Sequence, residues 1–180
     1  NSTVLGLLLV IGVMFLIQSG PFITYIPILA GFNFGASGLF IGLILASMSV
    51  SLGLVASQLP RFARHASEIT LIKLAFAISA ISLAMIPLID RAWLLFVPSS
   101  LFGVALALAI PASHTLLAKL TIDDTRAGFM AVNASVQSFG FGLGPLIAGI
   151  FAGSWGMSGV FWATAGLALA ALALFHFLLP

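Results

Sequence analysis

A few polar side chains interrupt long apolar runs, and these residues have the chemistry needed to contact a solute. Gln18, Phe22 and Tyr25 follow one another at i, i+4 and i+7, so a regular helix presents them on one face. Gln18 lies near the middle of its apolar run, where an amide without a partner is costly in lipid. The pattern predicts a cavity wall that stacks on and hydrogen-bonds an organic substrate. The alternative is an interhelical hydrogen bond beside ordinary aromatic packing.

A second polar group combines Asn133 and Gln137, one helical turn apart, with His114 in the preceding apolar run. The two amides are candidates for contact with the substrate, for a bond across a helix interface, or for a structural hydrogen bond. Histidine is the side chain best suited to exchange protons at physiological pH, so His114 is also a candidate proton carrier. A neutral hydrogen-bonding role is the alternative, because no embedded carboxylate accompanies it.

Catalytic and metal-binding chemistry has little support in the sequence. Asp123 and Asp124 are adjacent, but they precede an apolar run, where carboxylates cap a helix and offset its dipole. The chain has no cysteine, no metal-ligand spacing and no phosphate-binding loop. Its six Lys and Arg residues do not cluster as a nucleic-acid surface requires. We therefore expect no enzymatic activity, no cofactor, no metal and no nucleic-acid partner.

Long apolar helices must position these side chains. Hydrophobic residues make up 62% of the 180 residues and charged residues 6%, whereas soluble domains carry about 25% charged residues. A helix needs about 20 apolar residues to cross a bilayer. Six runs qualify: 4–29, 38–59, 68–89, 93–118, 127–152 and 160–179. Their short connections predict an all-α, polytopic membrane protein in which each helix is antiparallel to the next.

The cations indicate the orientation of these six helices. Five lie at the ends that the second and fourth connections join, and only Arg91 lies on the opposite side; the five are Arg61, Arg64, Lys73, Lys119 and Arg126. Because cytoplasmic loops carry an excess of Lys and Arg, the second and fourth connections are predicted to be cytoplasmic. Both chain ends are then cytoplasmic too.

The six helices divide into two similar sets of three. The first and fourth each contain two prolines, and the second and fifth each carry small residues at four-residue spacing. The prolines are Pro21, Pro27, Pro98 and Pro111; the small residues include Gly42, Ala46, Gly53, Gly140, Gly144 and Gly149. Opposite membrane orientations make this a three-plus-three inverted repeat, a recurrent transporter architecture. Stripes of small residues let two helices approach closely. Such a contact forms either a moving interface or static packing.

One segment is more specific than these general patterns. Gly140 to Gly149 reads GFGLGPLIAG, which resembles the G-x-x-x-G-P-x-x-G-G motif of the major facilitator superfamily, best known from its drug/proton antiporters. Gly140, Gly144, Pro145 and Gly149 match, and Ala148 replaces one glycine. The fourth predicted helix lacks the embedded arginine of the family's N-terminal half, and 58–65 lacks that half's glycines and aspartate. The resemblance therefore favours the C-terminal half, helices seven to twelve of a longer chain, a reading consistent with the absence of an initiating Met.

The resemblance implies a role for each helix. The first and fourth would line a central cavity, the second and fifth would form a rocking interface with a missing N-terminal half, and the third and sixth would face lipid. The expected function is secondary transport of a small, mainly apolar or neutral organic solute across the bacterial inner membrane by alternating access, as proton-coupled efflux. Uptake of a sugar, organic acid or other metabolite is the first alternative. A non-transporting assembly or sensor module is the second.

Overall fold

The computed structural model of the chain describes residues 2–62, 66–121 and 123–178, and its long elements over these ranges are helices. The elements are α1 (Ser2–Ile17), a π-helical segment (Gln18–Tyr25), α2 (Ile26–Phe34), α3 (Gly38–Phe62), α4 (Glu68–Met85), α5 (Phe96–Leu120) and α6 (Asp123–Leu178). Short 3₁₀ turns at Ile86–Leu88 and Ala92–Leu95 flank the connection between α4 and α5. The expected all-helical class is confirmed over the described residues.

The first predicted helix is longer and less regular than its sequence suggested. It continues from α1 through the π-helical segment into α2 and ends at Gly35, whose φ of 61° places it in the left-handed region that suits glycine. Inside the π segment the N–H of Ile26 donates to the carbonyl oxygen of Pro21, five residues back. Pro21 has no N–H of its own, so it interrupts the regular ladder at this point.

Five helical stretches are long and apolar enough to cross a membrane in the described part of the chain, where six were predicted. The difference arises in α6, which joins the predicted fifth and sixth helices into one element of 56 residues. Gly156 breaks the helical geometry inside it, with φ 73° and ψ −177°. Only glycine adopts this conformation without strain, so the chain changes direction there within α6.

Contacts between side chains show how the helices run. Ser82 in α4 donates to the carbonyl oxygen of Pro98 at the start of α5, and Lys119 at the end of α5 pairs with Glu68 at the start of α4. These two helices are therefore antiparallel. Lys73 near the start of α4 contacts His176 near the end of α6 at 3.1 Å, so the last part of α6 is antiparallel to α4 as well. This arrangement matches the predicted up-and-down order.

Burial is uneven among the helices. α1 and α5 provide the two largest shares of the core, with Met14 and Phe102 among them, and Phe22 of the π-helical segment is buried beside them. By contrast, α3 contacts the bundle mainly along one line, where a methyl group added to Gly103 of α5 would meet the backbone of Met48. Leu39, Leu54 and the rest of its outer face are exposed.

The charged residues of the described chain lie at the two ends of the bundle, as predicted. The Lys119–Glu68 ion pair, with Nζ and Oε1 2.6 Å apart, marks one end. Asp90 and Arg91, 4.0 Å apart and well exposed, mark the other. Arg64 lies outside the described residues, and so does the predicted capping by the side chains of Asp123 and Asp124.

Candidate functional site

A close helix contact joins the first membrane-crossing stretch to α6, and it involves glycines on both sides. A methyl group added to Gly20 would lie 2.6 Å from the carbonyl oxygen of Gly144. Further along, a methyl group on Gly140 would meet the backbone of Gly12. Because Gly12 faces Gly140 and Gly20 faces Gly144, the two helices run parallel. The GxxxGP motif therefore holds α6 against α1 inside the bundle.

The two small-residue stripes lie on different kinds of surface, although the sequence assigned both to one interface. Gly140 and Gly144 are buried within the bundle, and Gly149 and Pro145 are half-buried. The stripe on α3 is open: Gly42, Ala46 and Gly53 are exposed, and a methyl group on either glycine would have no neighbour within 4 Å. For Gly140 and Gly144, the backbone of α1 occupies the space that the predicted interface with a second half would need.

The predicted face of Gln18, Phe22 and Tyr25 does not form an open cavity wall. Phe22 is fully buried and stacks on Phe102 of α5, with ring centroids 3.8 Å apart and an angle of 8° between the planes. The π-helical segment spans all three residues, so the spacing of a regular helix does not apply to them. Tyr25 is half-buried and its hydroxyl points towards Gly149. Phe22 thus serves as a packing contact between helices.

His114 and Gln137, predicted separately, form one pair. The Nε2 atoms of the two side chains are 3.0 Å apart, joining α5 to α6. An amide N–H₂ group donates only, so Gln137 donates to a ring nitrogen of His114 that carries no proton. This bond fixes the amide of Gln137 at the side of α6 that borders α1.

Gln137 lies in an open groove of about 440 Å³ between α1 and α6. Two aromatic rings, Phe15 and Phe141, and the hydroxyl of Ser138 line the groove with it. The Ser138 hydroxyl donates to the carbonyl oxygen of Ala134, which leaves its lone pairs available as acceptors. The groove therefore offers apolar rings beside a small number of placed polar atoms, the usual composition of a small-molecule site.

Three buried polar atoms find no hydrogen-bond partner within the described residues: Gln18 Oε1, Ser99 Oγ and Asn133 Oδ1. Asn133 is only 3% exposed, so its amide is enclosed by the bundle and does not lie on an open face. Gln18 is half-buried within the π segment. In a low-dielectric interior such acceptors are costly, so each is a position where a bound water or solute donor would stabilise the protein.

Sequence reasoning found Gln137 and His114 but missed Phe15 and Phe102. Phe15 lines the groove, and Phe102 forms the stack that buries Phe22. Nothing distinguishes these two rings among the 16 phenylalanines of the chain, because an aromatic ring in an apolar helix has no periodic signal of its own. Ser138 could be found only through its neighbour, because it adjoins Gln137 in the sequence. No group of three or more His, Cys, Asp or Glu side chains suited to a metal occurs among the described residues.

Comparison with known proteins identifies the family to which this helical arrangement corresponds. The family model described as Major Facilitator Superfamily matches residues 4–180, nearly the whole chain. No curated protein matches the chain significantly.

Proposed function

The chain belongs to the major facilitator superfamily, whose members are membrane transporters and not enzymes, and from this membership we propose that it forms the C-terminal half of a secondary transporter. The proposed transporter moves a small, mainly apolar or neutral organic solute across the bacterial inner membrane by alternating access. The observation that carries the proposal is the groove between α1 and α6, which is lined by a fixed amide and two aromatic rings.

Each element of the groove suits a neutral organic solute. Phe15 and Phe141 provide apolar surface on which a flat or aliphatic solute packs. Gln137 keeps a carbonyl oxygen and one N–H available after it donates to His114, so it can both accept from and donate to the solute. No cation lines the groove among the described residues, and a site for an organic anion would be expected to contain one. This last point favours a neutral solute over an organic acid.

The open face of α3 supports the proposed second half. Leu39, Leu54 and the exposed glycines Gly42 and Gly53 form an apolar surface without bulky obstacles along the glycine positions. Helices pack closely in lipid where small residues line the contact. We propose that this face of α3 meets the other six-helix half and moves against it during transport.

Topology and coupling complete the proposal. Gly156 would divide α6 into a fifth and a sixth crossing, giving a three-plus-three repeat with both chain ends in the cytoplasm. A single crossing by the 52-residue apolar stretch is implausible, because about 20 residues already span the bilayer.

The groups that couple transport to protons would lie in the other half, since among the described residues no carboxylate lies deep within a span of this one. Efflux is the direction proposed, from the GxxxGP motif that resembles drug/proton antiporters.

A paired substitution tests the role of Gln137. Gln137→Ala removes both the groove amide and its bond to His114, whereas His114→Ala removes the bond alone, because His114 does not line the groove. In the full transporter we expect Gln137→Ala to raise KM about tenfold, the loss of one hydrogen bond of about 1.4 kcal/mol, and His114→Ala to raise it less. Equal kinetics for the two variants would reduce Gln137 to a structural residue and remove the groove from the proposal.

A further inference from the structure

A second groove lies on the other side of the bundle, between α4 and the last part of α6. It has a volume of about 470 Å³ and its walls are almost entirely apolar. Small residues form its floor, including Ala80 and Ala165, each 5% exposed. Larger side chains form its rims: Ile81, Leu169 and Trp162 are each more than half exposed. The solute groove beside Gln137 shares no residue with it.

The groove lies within one half of the membrane depth. Along α4 it extends from Ala77 to Ala84, about 10 Å at a rise of 1.5 Å per residue. Ala77 lies near the middle of the apolar stretch Glu68–Leu88, and Ala84 lies near the end that leads to Asp90. A membrane-spanning helix needs a contact surface of about 30 Å, so a groove of this length suits a shorter apolar occupant.

Trp162 lies at the open end of this groove. It follows the break at Gly156 by six residues, so it lies near the boundary between the apolar span and the connection. Tryptophan favours this boundary in membrane proteins, where its ring contacts both apolar chains and headgroups. Along α6, Trp162 therefore lies between the break at Gly156 and the small lining residues Ala165 and Gly166.

The charges at this end of the bundle complement a zwitterionic headgroup. Asp90 and Arg91 are the only charged residues in the connections at this end of the described chain. Their side chains are 77% and 69% exposed, and Arg91 Nε lies 4.0 Å from a carboxylate oxygen of Asp90, so both keep capacity for further partners. A guanidinium binds phosphate and a carboxylate binds an ammonium group. The pair follows the end of α4 at Met85 by a single 3₁₀ turn, Ile86–Leu88, and one extended residue, Ile89.

We propose that this groove binds one acyl chain of a zwitterionic phospholipid whose headgroup contacts Asp90 and Arg91. The chain packs on Ala80 and Ala165, and Trp162 covers its upper part. The site belongs to the leaflet at the Asp90 end of the bundle. It is independent of the transported solute and would hold a lipid that remains bound when the surrounding bilayer is removed.

Substitution of Gly166 tests the site directly. Gly166 lines the groove, and a methyl group added there would have no neighbour within 4 Å, so Gly166→Leu fills the groove without disturbing the protein. Ala170→Leu is the matched control, since Ala170 is exposed on the same helix and does not line the groove. Ala84→Leu fills the groove from the opposite wall and guards against misfolding of the first variant.

The measurement is native mass spectrometry of the full transporter, after detergent extraction and incubation with phosphatidylethanolamine or phosphatidylglycerol of equal acyl length. We expect the unmodified protein and Ala170→Leu each to retain one phosphatidylethanolamine. In Gly166→Leu and Ala84→Leu, the fraction of protein that retains the lipid should be at least fivefold lower. Neutralising the pair as Asp90→Asn with Arg91→Gln is expected to abolish the preference over phosphatidylglycerol. Equal retention by filled and unfilled grooves, no retained lipid, or an unmodified protein that prefers phosphatidylglycerol would each overturn the proposal.

Discussion

The backbones of Gly20 and Gly144 are in direct contact, and neither position has room for a side chain. A methyl group on Gly144 would lie 2.6 Å from the carbonyl oxygen of Leu16 and 2.8 Å from the amide nitrogen of Gly20, and would also meet the Ser19 hydroxyl. Gly20 lies inside the π-helical segment, so the widened turn and the glycine contact occur at the same level. This contact fixes α6 beside α1 and thereby places Gln137 at the groove.

Gly144→Val is expected to disrupt the bundle as a whole. Overpacking of a close contact costs about 1–3 kcal/mol, and here the neighbours are backbone atoms that cannot rotate away. Gly142→Val is the matched control, because Gly142 is exposed and has no neighbour within 4 Å. Thermal unfolding in detergent should show a lowered Tm for Gly144→Val alone. A normal Tm with reduced turnover would instead make Gly144 part of a moving interface.

Phe22→Ala is expected to reduce stability and to leave the affinity for the solute nearly unchanged. Truncation of a buried phenylalanine costs about 3–5 kcal/mol, and Phe22 also loses its stack on Phe102. Phe15→Ala should behave in the opposite way, with a raised KM and a smaller loss of stability, because Phe15 is half-buried and lines the groove. Unfolding and transport kinetics are measured on both variants. A raised KM for a stable Phe22→Ala protein would restore Phe22 as a cavity residue.

The sequence predicted the helices well because hydropathy follows from the solvent, and lipid leaves few alternatives to a helix. The sequence predicted less about which neighbour each side of a helix contacts. A stripe of glycines indicates that a backbone approaches closely, but it does not indicate which one, so Gly144 and Gly42 looked equivalent. The spacing of Gln18, Phe22 and Tyr25 could not show which way each side chain points, because it assumes 3.6 residues per turn and the π segment around Pro21 departs from that period.

The number of membrane crossings can be tested with single cysteines, because the chain has none of its own. Cysteine is introduced separately at Ser67, Ser158 and Phe177, all of which are exposed. With six crossings, an impermeant thiol reagent should label positions 67 and 177 from the cytoplasmic side and position 158 from the opposite side. Labelling of positions 158 and 177 from the same side would show that α6 does not cross twice.

The open stripe on α3 gives a test of the interface with the other half. Gly42→Leu and Gly53→Leu add bulk where this chain has no neighbour, so its own packing should be unaffected. In the full transporter we expect transport to fall at least tenfold, since closely packed helices depend on small residues at the contact. Ala170→Leu on α6 serves as the exposed control and should transport normally. Normal transport by both α3 variants would mean that this face contacts lipid.

The central claim is that this chain supplies one half of a proton-coupled exporter. The most direct measurement reconstitutes it in proteoliposomes, alone and joined to its other six-helix half, and follows a lipophilic dye and internal pH under an imposed pH gradient. We expect dye movement coupled to proton movement only when both halves are present. A folded, complete protein that moves neither dye nor protons would contradict the efflux assignment and leave uptake of a neutral metabolite as the function to test.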